Sequence, residues 1–180
     1  MKIDNQAHGQ FSAPGEVRLI RLLPGPIERV WQFLTDPAKR RRWFTDGPME
    51  LKPGGGMRLH FRHKNIAPDE VPPPDYAQYH DPGAHMDGTV LECEPPRLLR
   101  YTWGEGGRSD VTFELTPEGR QVRLVLTHRC RGDAVEDVGH YAVGWHTHLT
   151  ILLALLADQP APPFWGTHAR LTKEYESRGR

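Results

Sequence analysis

The chain has 180 residues, with 23 basic and 23 acidic side chains and a formal net charge of zero. That balance removes any bulk attraction to nucleic acid or to an anionic membrane surface. With 37% hydrophobic and 26% charged residues, the composition suits one soluble domain with a sizeable core, and no stretch approaches the length needed to insert across a membrane. Met1 to Pro14 is polar and lacks the apolar core of a secretory signal, so it reads as a flexible segment and a cytoplasmic location is expected.

A strand is predicted from Glu16 to Leu23. Pro26 suits a first helical turn, Ile27, Val30, Trp31 and Leu34 recur at helical spacing, and Asp36-Pro37 breaks the run, which gives a short amphipathic helix. A second helical turn from Pro37 carries Lys39, Arg40, Arg41 and Arg42 ahead of Trp43-Phe44. A basic run of that kind reads as a solvated helix face rather than a phosphate site.

The middle of the chain alternates with period two. Gly54-Gly55-Gly56 reads as a turn leading into a strand where Met57, Leu59 and Phe61 oppose Arg58, His60 and Arg62. Residues 65–84 then interrupt the pattern with five prolines. They read as a mobile surface loop, with partial order over a pocket mouth, through Tyr76 and Tyr79, as the alternative. Beyond it, His85, Asp87 and Thr89 share a strand face that is either a mouth or an exposed edge. Leu99, Tyr101 and Trp103 face one way, as do Val111, Phe113 and Leu115, and then Val122, Leu124, Leu126 and His128. Pro95-Pro96, residues 104–107 and Pro117-Glu118-Gly119 supply turns, so an antiparallel meander is expected. Cys93 and Cys130 lie in predicted strands without CxxC spacing and read as reduced, core-type thiols.

From Asp137 to Ala157 the period becomes helical, with Val138, Tyr141, Trp145, Leu149, Leu152 and Leu156 on one stripe. Ile151, Leu153, Ala154 and Leu155 fill the remaining faces, so the C-terminal half needs a second cover besides a sheet. Phe164-Trp165 folding back from the tail is favoured for that role, a homodimer being the alternative. The domain limits expected are residues 1–14 for the flexible segment, 15–158 for the domain and 159–180 for a C-terminal extension.

Four pieces together resemble a known family. They are the helix from Pro26 to Pro37 with Arg42-Trp43-Phe44; Gly54-Gly55-Gly56-Met57-Arg58-Leu59; the strand pair from Gly88 to Trp103; and Val111 to Leu115 with Leu124 to His128. Gly144-Trp145, taken as opening the last helix, completes the set. The pattern is similar to the activator-of-heat-shock-protein-90-ATPase-like family of the SRPBCC superfamily, which includes START-like and birch-pollen-allergen-like proteins. The resemblance implies an α+β helix-grip fold: a curved antiparallel β-sheet wrapped around a long C-terminal helix, with two short helices after the first strand. It also implies an internal cavity lined from Trp43, Phe44, Met57, Phe61, Tyr101, Trp103, Phe113, His128, Trp145 and Leu149.

The superfamily places lipid carriers, cyclases, hydrolases, hormone receptors and co-chaperones on one scaffold, so the fold alone does not choose among them. Inward polar groups are the sharper guide, because each costs about 1 to 3 kcal/mol unless it finds a partner. Tyr101 and His128 are the two candidates to orient a ligand. No catalytic motif, Walker motif or HExxH is present, and His146 and His148 project about 200 degrees apart on a helix, so neither a metal site nor a cofactor is expected. The leading expectation is a non-catalytic carrier or sensor of a small hydrophobic molecule. An enzyme of cyclase or hydrolase type, with His128 as base and Asp87 or Glu114 as its partner, is the first alternative. A co-chaperone is the second; chaperone binding is disfavoured because only one domain resembles that protein's C-terminal part.

Overall fold

The structure, a computed structural model, describes residues 3–179. Seven strands, β1 (Gln10–Ala13), β2 (Glu16–Pro24), β3 (Gly56–Phe61), β4 (Ala84–Glu94), β5 (Leu98–Trp103), β6 (Ser109–Glu118) and β7 (Gln121–Cys130), form one antiparallel sheet in the order β1-β2-β7-β6-β5-β4-β3. Helices α1 (Ile27–Thr35) and α2 (Pro37–Arg40) follow β2, a short α3 (Ala77–His80) lies between β3 and β4, and the long α4 (Val138–Leu156) precedes a final α5 (Phe164–Glu176). This is the α+β helix-grip. No helix among the described residues is long and apolar enough to cross a membrane.

Alternation fixes the faces. In the β6–β7 ladder Val111 pairs with His128, Phe113 with Leu126 and Leu115 with Leu124, and in β2–β7 Val17, Leu19 and Leu23 pair onto the same inward row. All of these are buried against α4, whose Trp145, Leu149, Leu152 and Leu156 are 3% exposed or less. The remaining side of α4 is covered by α5, which buries Phe164, Trp165, Leu171 and Tyr175.

Two local readings change, and a third, the break at Asp36-Pro37, gains its physical cause. Gln10–Ala13, within the segment read as flexible, is an edge strand paired to β2 through Gln10–Arg18 and Ala13–Glu16. It escaped notice because only Phe11 in it is partly buried against the core. Pro26 caps α1 rather than joining it, its carbonyl accepting from the Arg29 and Val30 amides at 3.1 and 3.2 Å. Asp36 both ends α1 and starts α2, since its carboxylate accepts the Ala38 and Lys39 amides at 2.8 and 3.1 Å.

The basic run after Pro37 is only partly a solvated face. Arg40 is 2% exposed, and its guanidinium donates to the carbonyls of Thr45 at 3.2 Å, Thr35 at 3.1 Å and Gly47. Three carbonyls satisfy the fork, so the charge is held by the backbone turn that delivers Trp43-Phe44 to the core. Gly47 is needed there: its φ is +100°, and a Cβ would fall 2.0 Å from the Arg58 carbonyl oxygen.

Arg21 offers the contrast. It sits on the inward row of β2, opposite Leu124, and is 1% exposed. Nη1 donates to the Ile20 carbonyl at 2.8 Å, but Nε and Nη2 have no partner among the described residues. Burial draws its pKa down to about 10. An uncompensated buried cation opposes folding, whereas removing a satisfied one leaves orphaned carbonyls. Arg21→Met should therefore raise stability by about 1 to 3 kcal/mol and Arg40→Met should lower it by about 3 to 5 kcal/mol in urea unfolding; equal losses in both would contradict this reading of the core.

Candidate functional site

A cavity of about 590 Å³ lies between α4, the β3–β5 end of the sheet, the β3–β4 connection and α5. Its floor is aromatic. Phe44 stands with its ring centroid 4.8 Å from Trp145 and 6.0 Å from Trp103, while Trp103 lies 5.2 Å from Trp145 and 5.6 Å from Phe61. Offset and edge contacts of this kind make a rigid apolar surface.

Of the ten residues expected to line a pocket, Phe44, Phe61, Trp103 and Trp145 do so. Trp43, Met57, Tyr101, Phe113, His128 and Leu149 instead lie behind that floor, each 5% exposed or less. There the sheet closes directly onto α4, and the open space is displaced toward β3, β4 and α5.

His128 is fully buried with both ring nitrogens occupied. Trp145 Nε1–H donates to its Nδ1 at 2.9 Å, which leaves Nε2–H to donate to Ser109 Oγ at 3.0 Å; Ser109 in turn donates to the Trp103 carbonyl at 3.1 Å. This chain holds the two floor tryptophans in place and leaves His128 no lone pair or proton for a ligand. Neither Asp87, which is exposed, nor Glu114 is hydrogen-bonded to it. Burial pushes the Tyr101 hydroxyl well above the usual phenol range, which keeps it a neutral core phenol.

The outer wall comes from the proline-rich connection and α5. The connection does not run free over the surface. Glu70 accepts the Phe164 and Trp165 amides at 2.6 and 2.9 Å, capping α5 from outside its own sequence. Trp165 Nε1–H donates to His80 Nδ1 at 3.2 Å, and Tyr76 packs against Trp165 and His168 at 5.5 and 4.9 Å. Asp81, ion-paired to Arg62 at 3.0 Å and Lys64 at 2.8 Å, pins the far end of the connection.

Three histidines of the wall were not among the residues expected to line the cavity: His63, His148 and His168, exposed by 8%, 6% and 9%. His148 Nδ1–H donates to the Trp43 carbonyl at 2.6 Å and His63 Nδ1–H to the Tyr79 carbonyl at 3.1 Å. A carbonyl can only accept, so each bond fixes the proton on Nδ1 and leaves Nε2 as an acceptor. Burial lowers the pKa of His63 to about 4 and of His148 to about 3, with repulsion from His168 and His80 adding to it for His63 and from His63 and His168 for His148, so both rings are neutral. Among the described residues no lysine or arginine lines the cavity; Asp137 and His140 stand exposed at its mouth. Among the described residues, no group of three His, Cys, Asp or Glu side chains is placed to hold a metal ion.

Buried neutral imidazoles make stability pH-dependent. The folded-state values are about 4 for His63 and about 3 for His128, His146 and His148, all below the unfolded value near 6.5, so the unfolded chain takes up protons that the folded one refuses. Their contribution is complete above about pH 6.5 and is lost as pH falls toward 4, at about 1.4 kcal/mol per pH unit for each ring. Thermal unfolding followed from about pH 7.5 to about pH 5 should show a continuous drop in midpoint; an unchanged midpoint would contradict the burial of these rings.

The sequence matches the model of the family described as activator of Hsp90 ATPase homolog 1-like protein over residues 24–157. Among solved structures, a Bordetella parapertussis protein determined by solution NMR is 47% identical, covers 95% of this chain and 90% of its own, and superposes with a TM-score of 0.78. The crystal structure of CalU16 from Micromonospora echinospora is 23% identical over 95% of this chain and 94% of its own, with a TM-score of 0.65. A conserved protein of unknown function from Enterococcus faecalis shares the fold at 16% identity, over 91% of this chain and 83% of its own, with a TM-score of 0.67. No curated protein matches the sequence. The chain belongs to the activator of Hsp90 ATPase homolog 1-like protein family.

Proposed function

We propose that the protein binds a small, flat, largely apolar molecule in the 590 Å³ cavity and acts as its carrier or sensor in the cytoplasm, without transforming it. One observation supports this most: Gly144 lines the cavity from inside α4, and a Cβ built on it meets nothing within 4 Å. A glycine in a helix interior costs about 1 kcal/mol relative to alanine. Here it adds neither a turn nor a close backbone approach, and what it keeps is empty volume against an aromatic floor.

The chemistry of the wall favours binding over catalysis. A general base works best with a pKa near the working pH, and the cavity's two oriented imidazoles, at about 4 and about 3, are weak bases. They remain good hydrogen-bond acceptors. Aromatic lining with a few oriented polar groups is the usual make-up of a small-molecule site.

Gly144→Leu projects a branched side chain into this space from a Cβ that meets no neighbour within 4 Å. It should weaken binding of pyrene at least about tenfold, read by quenching of tryptophan emission, while thermal stability holds or rises. Undiminished pyrene binding by a folded Gly144→Leu protein would remove the cavity as the site.

A further inference from the structure

We propose that the molecule taken by this cavity is a neutral aromatic compound bearing hydroxyl donors, of phenolic type, and that His63 and His148 read those donors through Nε2. The inference rests on the cavity being the ligand site and specifies the chemistry of its occupant.

The two rings stack 5.4 Å apart at an interplanar angle of 29° on one side of the cavity. Each spends its only proton on a main-chain carbonyl, of Tyr79 for His63 and of Trp43 for His148. Neither Nε2 has a protein partner among the described residues, and neither is sealed from the space around it; the Nε2 of His146, across α4, is sealed. The wall therefore presents two lone pairs that no protein donor among the described residues fills. A hydroxyl satisfies such an acceptor. An ether or a ketone in the same place leaves it desolvated and unpaired, which is the more costly outcome.

Charge narrows the class further. A carboxylate would meet two lone pairs, with no lysine or arginine in the wall among the described residues and Asp137 at the mouth, so fatty acids and aromatic acids are poor fits despite their apolar bodies. His168, whose ring makes only edge contacts to Tyr76 and Trp165, can turn either a donor or an acceptor toward a second polar group. The stacked Phe44 and Trp103 rings of the floor, 6.0 Å apart, suit a planar ligand.

The full-length protein should be titrated with pyrene, hydroxypyrene, methoxypyrene and pyrenecarboxylate by tryptophan quenching at neutral pH. Hydroxypyrene is expected to bind about tenfold more tightly than methoxypyrene, with the carboxylate weakest. In His63→Phe or His148→Phe the ratio of hydroxypyrene to methoxypyrene affinity should fall to about twofold or less, whatever the absolute affinity for pyrene becomes. The wild-type series stands without either variant, so a variant that fails to fold leaves the test intact. If pyrene binds but hydroxypyrene gains nothing over methoxypyrene, if the carboxylate binds best, or if both variants keep the preference, the donor-reading role is wrong and the cavity remains a ligand site. If no member of the series binds, the site and its chemistry fall together.

Discussion

The Nδ1–H of His148 donates to the Trp43 carbonyl at 2.6 Å, across 105 residues of sequence, and much of the cavity follows from where that bond holds its two partners. On one side it fixes the segment after α2, which Arg40 has already folded by gathering three carbonyls. Phe44 is thereby set against Trp145 and Trp103. On the other side it fixes the register of α4 against the sheet, so that Gly144 and Trp145 face the open space. The bond also consumes the ring's proton. One hydrogen bond in a buried setting thus supplies position and tautomer together, and a weaker or absent carbonyl partner would undo both, while burial keeps the ring neutral against the carbonyl's upward pull.

The floor is made by elements inside the span that matches the family, residues 24–157, and the wall is not wholly so. α5 lies beyond that span, and the β3–β4 connection carries the glutamate that caps it. Glu70 offers its carboxylate to two amide protons at the positive end of a helix, a favourable arrangement for an anion, and in doing so couples the placement of Tyr76, His80 and Trp165. The two segments close the cavity as one piece. Connections and terminal elements of this kind, set on a fixed sheet and long helix, are where a fold can vary its ligand chemistry.

The architecture was legible because it rests on periodicity. The inward rows from Met57 to Leu59, from Leu99 to Trp103 and from Val122 to His128 follow directly from alternation, and α4 from spacings of three and four. Arg21 is the exception within a strand: its position on the inward row was visible in the same alternation, but polarity argued against burial. The cavity was half legible. Phe44, Phe61, Trp103 and Trp145 point inward from predicted elements, and His148 could have been added, since it follows Trp145 by three residues on the same helical face. His128 was misjudged because a pattern shows that a polar group is inward without showing that Trp145 and Ser109 satisfy it. His63, Glu70 and His80 belong to a connection without periodicity, and their partners lie up to 95 residues away; such pairings arise only in the folded chain.

The most direct test of this account is the tautomer of His148, read from the imidazole nitrogen-15 shifts of the labelled protein at neutral pH. The account predicts a neutral ring with a protonated, pyrrole-like Nδ1 and an unprotonated, pyridine-like Nε2. A ring protonated on Nε2 alone would mean that the bond to Trp43 is not made, and an imidazolium would mean that Nε2 is no acceptor; either result would contradict the acceptor surface described.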